Sequence, residues 1–170
     1  HSLSVSDIET ITATTDTTES LMLLAAGTVS VSAIDSVTGT TGTDVLNLLA
    51  ASAVTVSDVE SVIGSTGTDT VTLGTAGNLA ISRVESVIGT TDTTETITLL
   101  AAGSVAVSDI DSVVGTTATT DAVTMLATGS LAVSSIDTVT GTTDTTDVVT
   151  LLNAGTVRVS AVESVLGATA

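Results

Sequence analysis

Residues 85–110 read ESVIGTTDTTETITLLAAGSVAVSDI, and the rest of the chain repeats this pattern with small changes. The acid of the opening phrase recurs in steps of about 25 residues, a spacing typical of stacked repeat proteins, in which each unit buries its apolar side against its neighbours. These acids are Glu9, Asp35, Glu60, Glu85, Asp111, Asp137 and Glu163. We therefore interpret 1–170 as a single repeat array. Its copies start near these acids, the copy from 163 is partial, and we expect the chain to be an excerpt of a longer protein.

Each copy contains three short stretches in which apolar and polar residues alternate, at 86–87, 96–99 and 104–108 in the quoted copy. Alternation with period two indicates strands, and the Gly and Ser/Thr/Asp clusters between the stretches indicate turns. Three strands of about five residues and three corners fill about 25 residues. The sequence therefore predicts an all-β parallel β-solenoid (β-helix) with one three-strand coil per copy.

Glycine recurs at two places in the copy. One set follows the repeated acid by four residues, and the other precedes the third stretch; the sets are Gly39, Gly64, Gly89, Gly115, Gly141, Gly167 and Gly27, Gly77, Gly103, Gly129, Gly155. Repetition at one point of a unit indicates a backbone requirement, and we expect positive φ at a corner.

Composition narrows the function classes. The chain has no aromatic residue and no cysteine, and its net charge is −17. A narrow solenoid interior can be filled by Val, Ile, Leu and Ala alone, whereas most globular cores use aromatic residues. The negative charge repels phosphate, so we expect no nucleic-acid partner. No run of about 18 apolar residues occurs, so we expect no membrane span.

The acids fall into columns, and the second column comprises Glu19, Asp44, Asp69, Glu95, Asp121 and Asp147. Stacked like charges about 4.8 Å apart repel by about 0.9 kcal/mol even in water. The carboxylates can accept N–H groups of the corners, point into solvent or share cations, and all three alternatives stay open. If successive copies stack in register, Arg83 lies between Asp58 and Asp109, because the three residues share one column.

The stretch 59–71, VESVIGSTGTDTV, resembles haemolysin-type (RTX) repeats of bacterial secreted and surface proteins. Gly64, Gly67, Asp69 and Val71 match the glycine-rich turn G-G-x-G-x-D-x-U-x of that family, as do Gly39, Gly42, Asp44 and Leu46. The second motif glycine is replaced by Ser65 or Thr40, and the other copies lack the inner glycine. The resemblance implies a secreted or cell-surface bacterial protein, and Ca²⁺ as a cofactor with Asp44 and Asp69 as its candidate ligands.

The sequence offers few residues that could catalyse a reaction. A hydrolytic triad needs a histidine or an equivalent base, and His1 is the one histidine. The acids recur evenly in every copy, as a structural column does, so we expect no enzyme.

Two functional hypotheses remain. The first is a structural module, a stalk, spacer or surface-layer-like segment of an exported bacterial protein such as an adhesin. The second is a binding solenoid, for calcium or, through stacked Thr-x-Thr rows, for ice or glycan. The candidate rows consist of Thr91, Thr93, Thr117, Thr119, Thr143 and Thr145. Because solenoid ends expose strand edges, we also expect end-to-end self-association.

Overall fold

The computed structural model describes residues 1–14 and 19–168, and these form twenty short strands in two sheets. The strands are β1 Ser2–Val5, β2 Thr10–Thr12, β3 Ser20–Leu23, β4 Thr28–Ser32, β5 Ser36–Thr38, β6 Val45–Leu48, β7 Ala53–Ser57, β8 Ser61–Ile63, β9 Thr70–Leu73, β10 Asn78–Ser82, β11 Ser86–Ile88, β12 Thr96–Leu99, β13 Ser104–Ser108, β14 Ser112–Val114, β15 Ala122–Met125, β16 Ser130–Ser134, β17 Thr138–Thr140, β18 Val148–Leu151, β19 Arg158–Ser160 and β20 Ser164–Leu166.

Odd-numbered strands form one parallel sheet and even-numbered strands form the other. The predicted all-β parallel solenoid is therefore confirmed. Its coil, however, has two strands and about 18 residues, giving about nine turns, rather than three strands that span a whole copy. A copy still contributes three strands, so one copy spans one and a half coils.

The interior is a single narrow column of aliphatic side chains. Strand residues alternate between buried and partly exposed, as the period-two pattern predicts. In the odd sheet, Val71 pairs with Val54 on one side and Val87 on the other, and all three are buried. Two sheets packed about 10 Å apart leave room for one layer of side chains from each sheet. Aliphatic side chains fill this space, so the core needs no aromatic residues.

Because a copy spans one and a half coils, equivalent turns of successive copies lie on opposite edges of the solenoid. We call edge I the side where an odd strand leads to an even strand, and edge II the opposite side. Three kinds of turn alternate along each edge. They are the acid loops (39–44, 64–69, 89–95, 115–121, 141–147), the four-residue turns (24–27, 49–52, 74–77, 100–103, 126–129) and the three-residue turns (33–35, 58–60, 83–85, 109–111, 135–137, 161–163).

This offset overturns the expected position of Arg83. The turn 83–85 joins β10 to β11 and lies on edge II, whereas Asp58 and Asp109 lie in turns on edge I. Arg83 is therefore not between the two aspartates, because equivalent residues of adjacent copies are not vertical neighbours.

The first glycine column has a cause other than positive φ. No described glycine has positive φ; the first residue of each three-residue turn does, among them Asp58, Arg83 and Asp109 at 53–55°. The carbonyl oxygen of that residue presses on the glycine of the adjacent coil. A Cβ on Gly64 would sit 1.7 Å from the Arg83 oxygen, and one on Gly89 would sit 1.8 Å from the Asp109 oxygen.

The second glycine column has no such contact. An added Cβ would meet nothing within 4 Å at Gly27, Gly77, Gly103, Gly129 and Gly155. Nothing in the structure requires glycine at these positions.

These two columns offer a matched pair of substitutions. We expect Gly64→Ala to lower the free energy of unfolding by about 3 kcal/mol, because the methyl group would overlap a backbone carbonyl that cannot move aside. Gly103→Ala should leave stability unchanged or raise it by about 0.5 kcal/mol, through reduced entropy of the unfolded chain. Chemical denaturation followed by far-ultraviolet circular dichroism measures both; equal effects would show that the carbonyl contact is not the constraint.

Candidate functional site: the buried carboxylates of the acid loops

The acids of the second column are buried. Asp44, Asp69, Glu95, Asp121 and Asp147 are 0% exposed, and Glu19 is 8% exposed. The alternative in which these carboxylates point into solvent is thereby excluded for this column. Their charge is instead stabilised inside the turns.

Asp147 shows how a buried carboxylate is held. Its Oδ2 accepts hydrogen bonds from the Thr142 N–H at 2.6 Å and the Thr142 hydroxyl at 2.7 Å, both within its own acid loop. Its Oδ1 accepts the N–H of Gly129, at 3.1 Å, from the four-residue turn of the adjacent coil. One carboxylate therefore closes its loop and ties it to the coil before it.

Three other copies repeat this geometry. Gly27, Ser52 and Gly103 donate their N–H groups to the Oδ1 atoms of Asp44, Asp69 and Asp121 at 2.8–3.0 Å. The residue after the loop glycine supplies the other two donors; these residues are Thr40, Ser65 and Thr116. The hydroxyl donor explains why Thr or Ser follows the loop glycine in these copies.

The acids of the first column bind the buried acids from the following coil. Every acid of this column after Glu9 accepts the backbone N–H of a buried acid, as Glu60 Oε2 does from Asp44 at 2.7 Å. The same bond joins Glu19 to Asp35, Asp69 to Glu85, Glu95 to Asp111, Asp121 to Asp137 and Asp147 to Glu163. In return, the carbonyl of Asp44 accepts the N–H groups of Glu60 and Ser61 at 3.1 and 3.2 Å. A buried aspartate of this column thus joins three successive coils.

The calcium candidates Asp44 and Asp69 belong to this set. Each accepts three hydrogen bonds from N–H and O–H donors, and each is fully buried. Ca²⁺ is bound by clustered oxygen ligands, whereas donors surround these carboxylates. The described residues contain no group of three or more His, Cys, Asp or Glu placed to hold a metal ion.

The threonines of the predicted rows lie in three acid loops that do not stack on one another. Loops 89–95 and 141–147 are on edge I and three coils apart, whereas loop 115–121 is on edge II. These threonines therefore do not form the expected continuous Thr-x-Thr rows. The cause is the one that separates Arg83 from Asp58 and Asp109: equivalent residues of adjacent copies lie on opposite edges. Ser and Thr do line the outward faces of the two sheets, whose strands contain no acid in the described chain.

The two edges differ in charge. In the described residues, edge I carries Asp7, Glu9, Asp44, Asp58, Glu60, Asp92, Glu95, Asp109, Asp111, Asp144, Asp147 and Glu163. Edge II carries Glu19, Asp35, Asp69, Glu85, Asp121 and Asp137, together with Arg83. Part of the surplus comes from the positive-φ residues of the short turns. On edge I these are Asp7, Asp58, Asp109 and Ala161, whereas on edge II none in the described residues is Asp.

The sequence predicts that these acids form one column, but it does not predict that they are buried. A usable signal was present in the pairing of Asp with Glu. Where the buried acid is Glu19 or Glu95, the next acid of the first column is Asp35 or Asp111; the buried residues Asp44, Asp69 and Asp147 are followed by Glu. The pair Asp121 and Asp137 departs from this rule. Alternation of the longer and shorter acid indicates that the two residues of each pair are neighbours in the fold.

Comparison with models of protein families, with curated proteins and with solved structures finds no match for this chain. No helix in the described part of the chain is long and apolar enough to cross a membrane. Fold and site together define a class, the two-stranded parallel β-solenoid whose turns are closed by buried carboxylates.

The buried carboxylates should make stability depend on pH. Burial raises the pKa of Asp147, but the hydrogen bonds from the Thr142 hydroxyl, the Thr142 N–H and the Gly129 N–H outweigh it, and the pKa lies below its ordinary value. A carboxylate with a lowered pKa stabilises the fold above its unfolded pKa, and that contribution is lost as pH falls through the folded pKa.

We therefore expect Asp147→Asn to lower the melting temperature at pH 7, with a loss that narrows as pH falls towards 3. Thermal melts of the variant and the parent across this range measure the difference. A loss that stays constant with pH would contradict the assigned role of the Asp147 charge.

Proposed function

We propose that this chain is a non-catalytic structural repeat module, a stalk or spacer segment of an exported bacterial surface protein such as an adhesin. The observation that carries the proposal is the use of the buried acids. These are the most unusual polar groups of the sequence, and their described hydrogen bonds go to the loops and coils of the solenoid itself. At about 4.8 Å per coil, nine turns extend about 40 Å, which suits a rigid spacer.

The exported bacterial setting rests on the resemblance to RTX repeats. A coil of about 18 residues has room for two nine-residue units, the arrangement that the resemblance implies for a β-roll. The net charge of −17 supports a protein without a nucleic-acid partner.

The deciding experiment compares two neighbouring aspartates in the presence and absence of calcium. Asp69→Asn places an amide among the donors that hold a buried carboxylate, and should cost about 3 kcal/mol of unfolding free energy. Asp58→Asn makes the same charge change at an exposed residue with φ of 53°, a conformation that Asn accepts readily, and should be close to neutral.

If the module is structural, the cost of Asp69→Asn is equal in 5 mM EDTA and in 5 mM Ca²⁺, values chosen to be about saturating for an extracellular module. A parent protein that melts higher in Ca²⁺, with the gain lost in Asp69→Asn, would instead identify a calcium-binding solenoid. Far-ultraviolet dichroism follows the melts, because the chain has no Trp or Tyr to report at 280 nm.

Self-association end to end is part of the same proposal. The strands β1 and β2 at one end and β19 and β20 at the other each pair on one side only. Unpaired strand edges are templates for further pairing, and the negative charge opposes it until salt screens the repulsion.

We expect oligomers by multi-angle light scattering in 1 M NaCl and fewer in 20 mM NaCl. Val159→Lys should abolish them, since Val159 pairs with the buried Val139 and faces the open end of the core. The control Ser160→Lys adds the same charge on the outward face, where Ser160 pairs with Thr140, and should still associate. A monomer at both salt concentrations would remove this part of the proposal.

A further inference from the structure

Glu95 is the exception among the buried acids. Its Oε1 accepts the N–H of Thr90, at 3.3 Å, and the Thr90 hydroxyl. Its Oε2 is buried and has no hydrogen-bond partner. In the aspartate copies the corresponding oxygen accepts an N–H group from the four-residue turn of the adjacent coil. The loop 89–95 has the same length as 115–121, so the additional methylene of Glu95 accounts for the lost contact.

The carboxyl group next to Glu95 is that of Asp111. Asp111 Oδ2 accepts the backbone N–H of Glu95 at 2.8 Å, so its carboxyl group lies against the loop that holds the Glu95 side chain. Because Thr90 occupies Oε1, Oε2 is the Glu95 oxygen that remains available to Asp111. Asp111 is partly buried, so water screens this contact only in part.

No cation among the described residues offsets the two charges. The elements packed against Glu95 contribute Asp92 from its own loop and Asp109 from the turn that holds Asp111, and both are exposed acids. The turn 74–77 on the other side has no titratable residue. Two neighbouring carboxylates without a cation cannot both ionise without a cost in free energy, and a single shared proton removes that cost.

We propose that the middle of the solenoid binds one proton between Glu95 and Asp111, with the Asp111 carboxyl donating its O–H to Glu95 Oε2. A proton is the ligand that this geometry favours, because Glu95 is fully buried and its Oε2 atom has no contact with solvent. Binding leaves Glu95 as the carboxylate and Asp111 as the neutral acid.

The electrostatics of the pair agree with this assignment. Burial and the Glu95 carboxylate raise the pKa of Asp111. Burial also acts to raise the pKa of Glu95, but hydrogen bonds from Thr90 and Asp111 outweigh it and the pKa falls. A group with a raised folded pKa contributes stability below its unfolded pKa, and loses it as pH rises through the folded pKa. Asp111 therefore opposes the pH dependence of Asp147.

The test is a titration of the side-chain carboxyl carbons by NMR on the whole chain, labelled at Asp and Glu. In the parent protein we expect Asp111 to titrate above its ordinary range. In Glu95→Asp the shorter acid can again reach the N–H of Gly77, and in Glu95→Gln an amide N–H can face Asp111. The Asp111 midpoint should fall in both variants. An ordinary Asp111 midpoint in the parent, or one that neither variant changes, would overturn the proposal.

Melting provides the second readout. Glu95→Asp should raise the melting temperature at pH 7 by about 3 °C, and the gain should shrink as pH falls and the parent takes up its proton. The mirror variant Asp121→Glu adds the methylene to a loop of equal length and should lower the melting temperature, with a loss that shrinks in the same direction. If the changes in melting temperature do not depend on pH in either variant, the additional methylene of Glu95 affects packing alone and the proposal of proton binding is rejected.

Discussion

The whole solenoid depends on backbone N–H groups that converge on a buried carboxylate. A tight turn leaves its N–H groups without partners inside the turn, and an unpaired buried donor is costly. The aspartate side chain satisfies two such donors from its own loop and the adjacent coil, and its own N–H is satisfied by the acid of the following coil. In a protein without aromatic residues or cysteine, these hydrogen bonds at the edges therefore stabilise the stacking of coils, because each buried aspartate joins three of them.

The second constraint is the close approach between coils. The three-residue turn adopts positive φ at its first residue and drives that carbonyl towards the adjacent acid loop, where glycine alone fits. The two features sit side by side, since Gly64 and Asp69 are the ends of one loop and Arg83 and Glu85 are the ends of the turn that contacts it. The glycine allows the acid loop and the three-residue turn of the next coil to approach closely, and the two acids supply the hydrogen bonds between them.

The strands and the repeat could be predicted from the sequence because both follow from local patterns. Alternation of Thr, Val and Leu fixes the strands, and the recurring acid fixes the copy length. The coil length could not be predicted, because a copy with three strands is equally compatible with one coil of three strands and with one and a half coils of two. Glu95 illustrates the limit at the site: its column was evident, but its orphan oxygen depends on one methylene and on the turn of an adjacent coil.

The one-and-a-half-coil copy has a consequence for how such a gene can lengthen. Insertion of a single copy would turn every later copy by half a revolution, so that residues facing one side would come to face the other, and Asp58 and Arg83 would exchange sides relative to what precedes them. Insertion of two copies adds three whole coils and preserves both sides. Arrays of this kind can therefore grow by pairs of copies without disturbing their surfaces. The aspartates Asp7, Asp58 and Asp109, which lie two copies apart, have the spacing that such growth would produce, although Ala161 takes the next equivalent position.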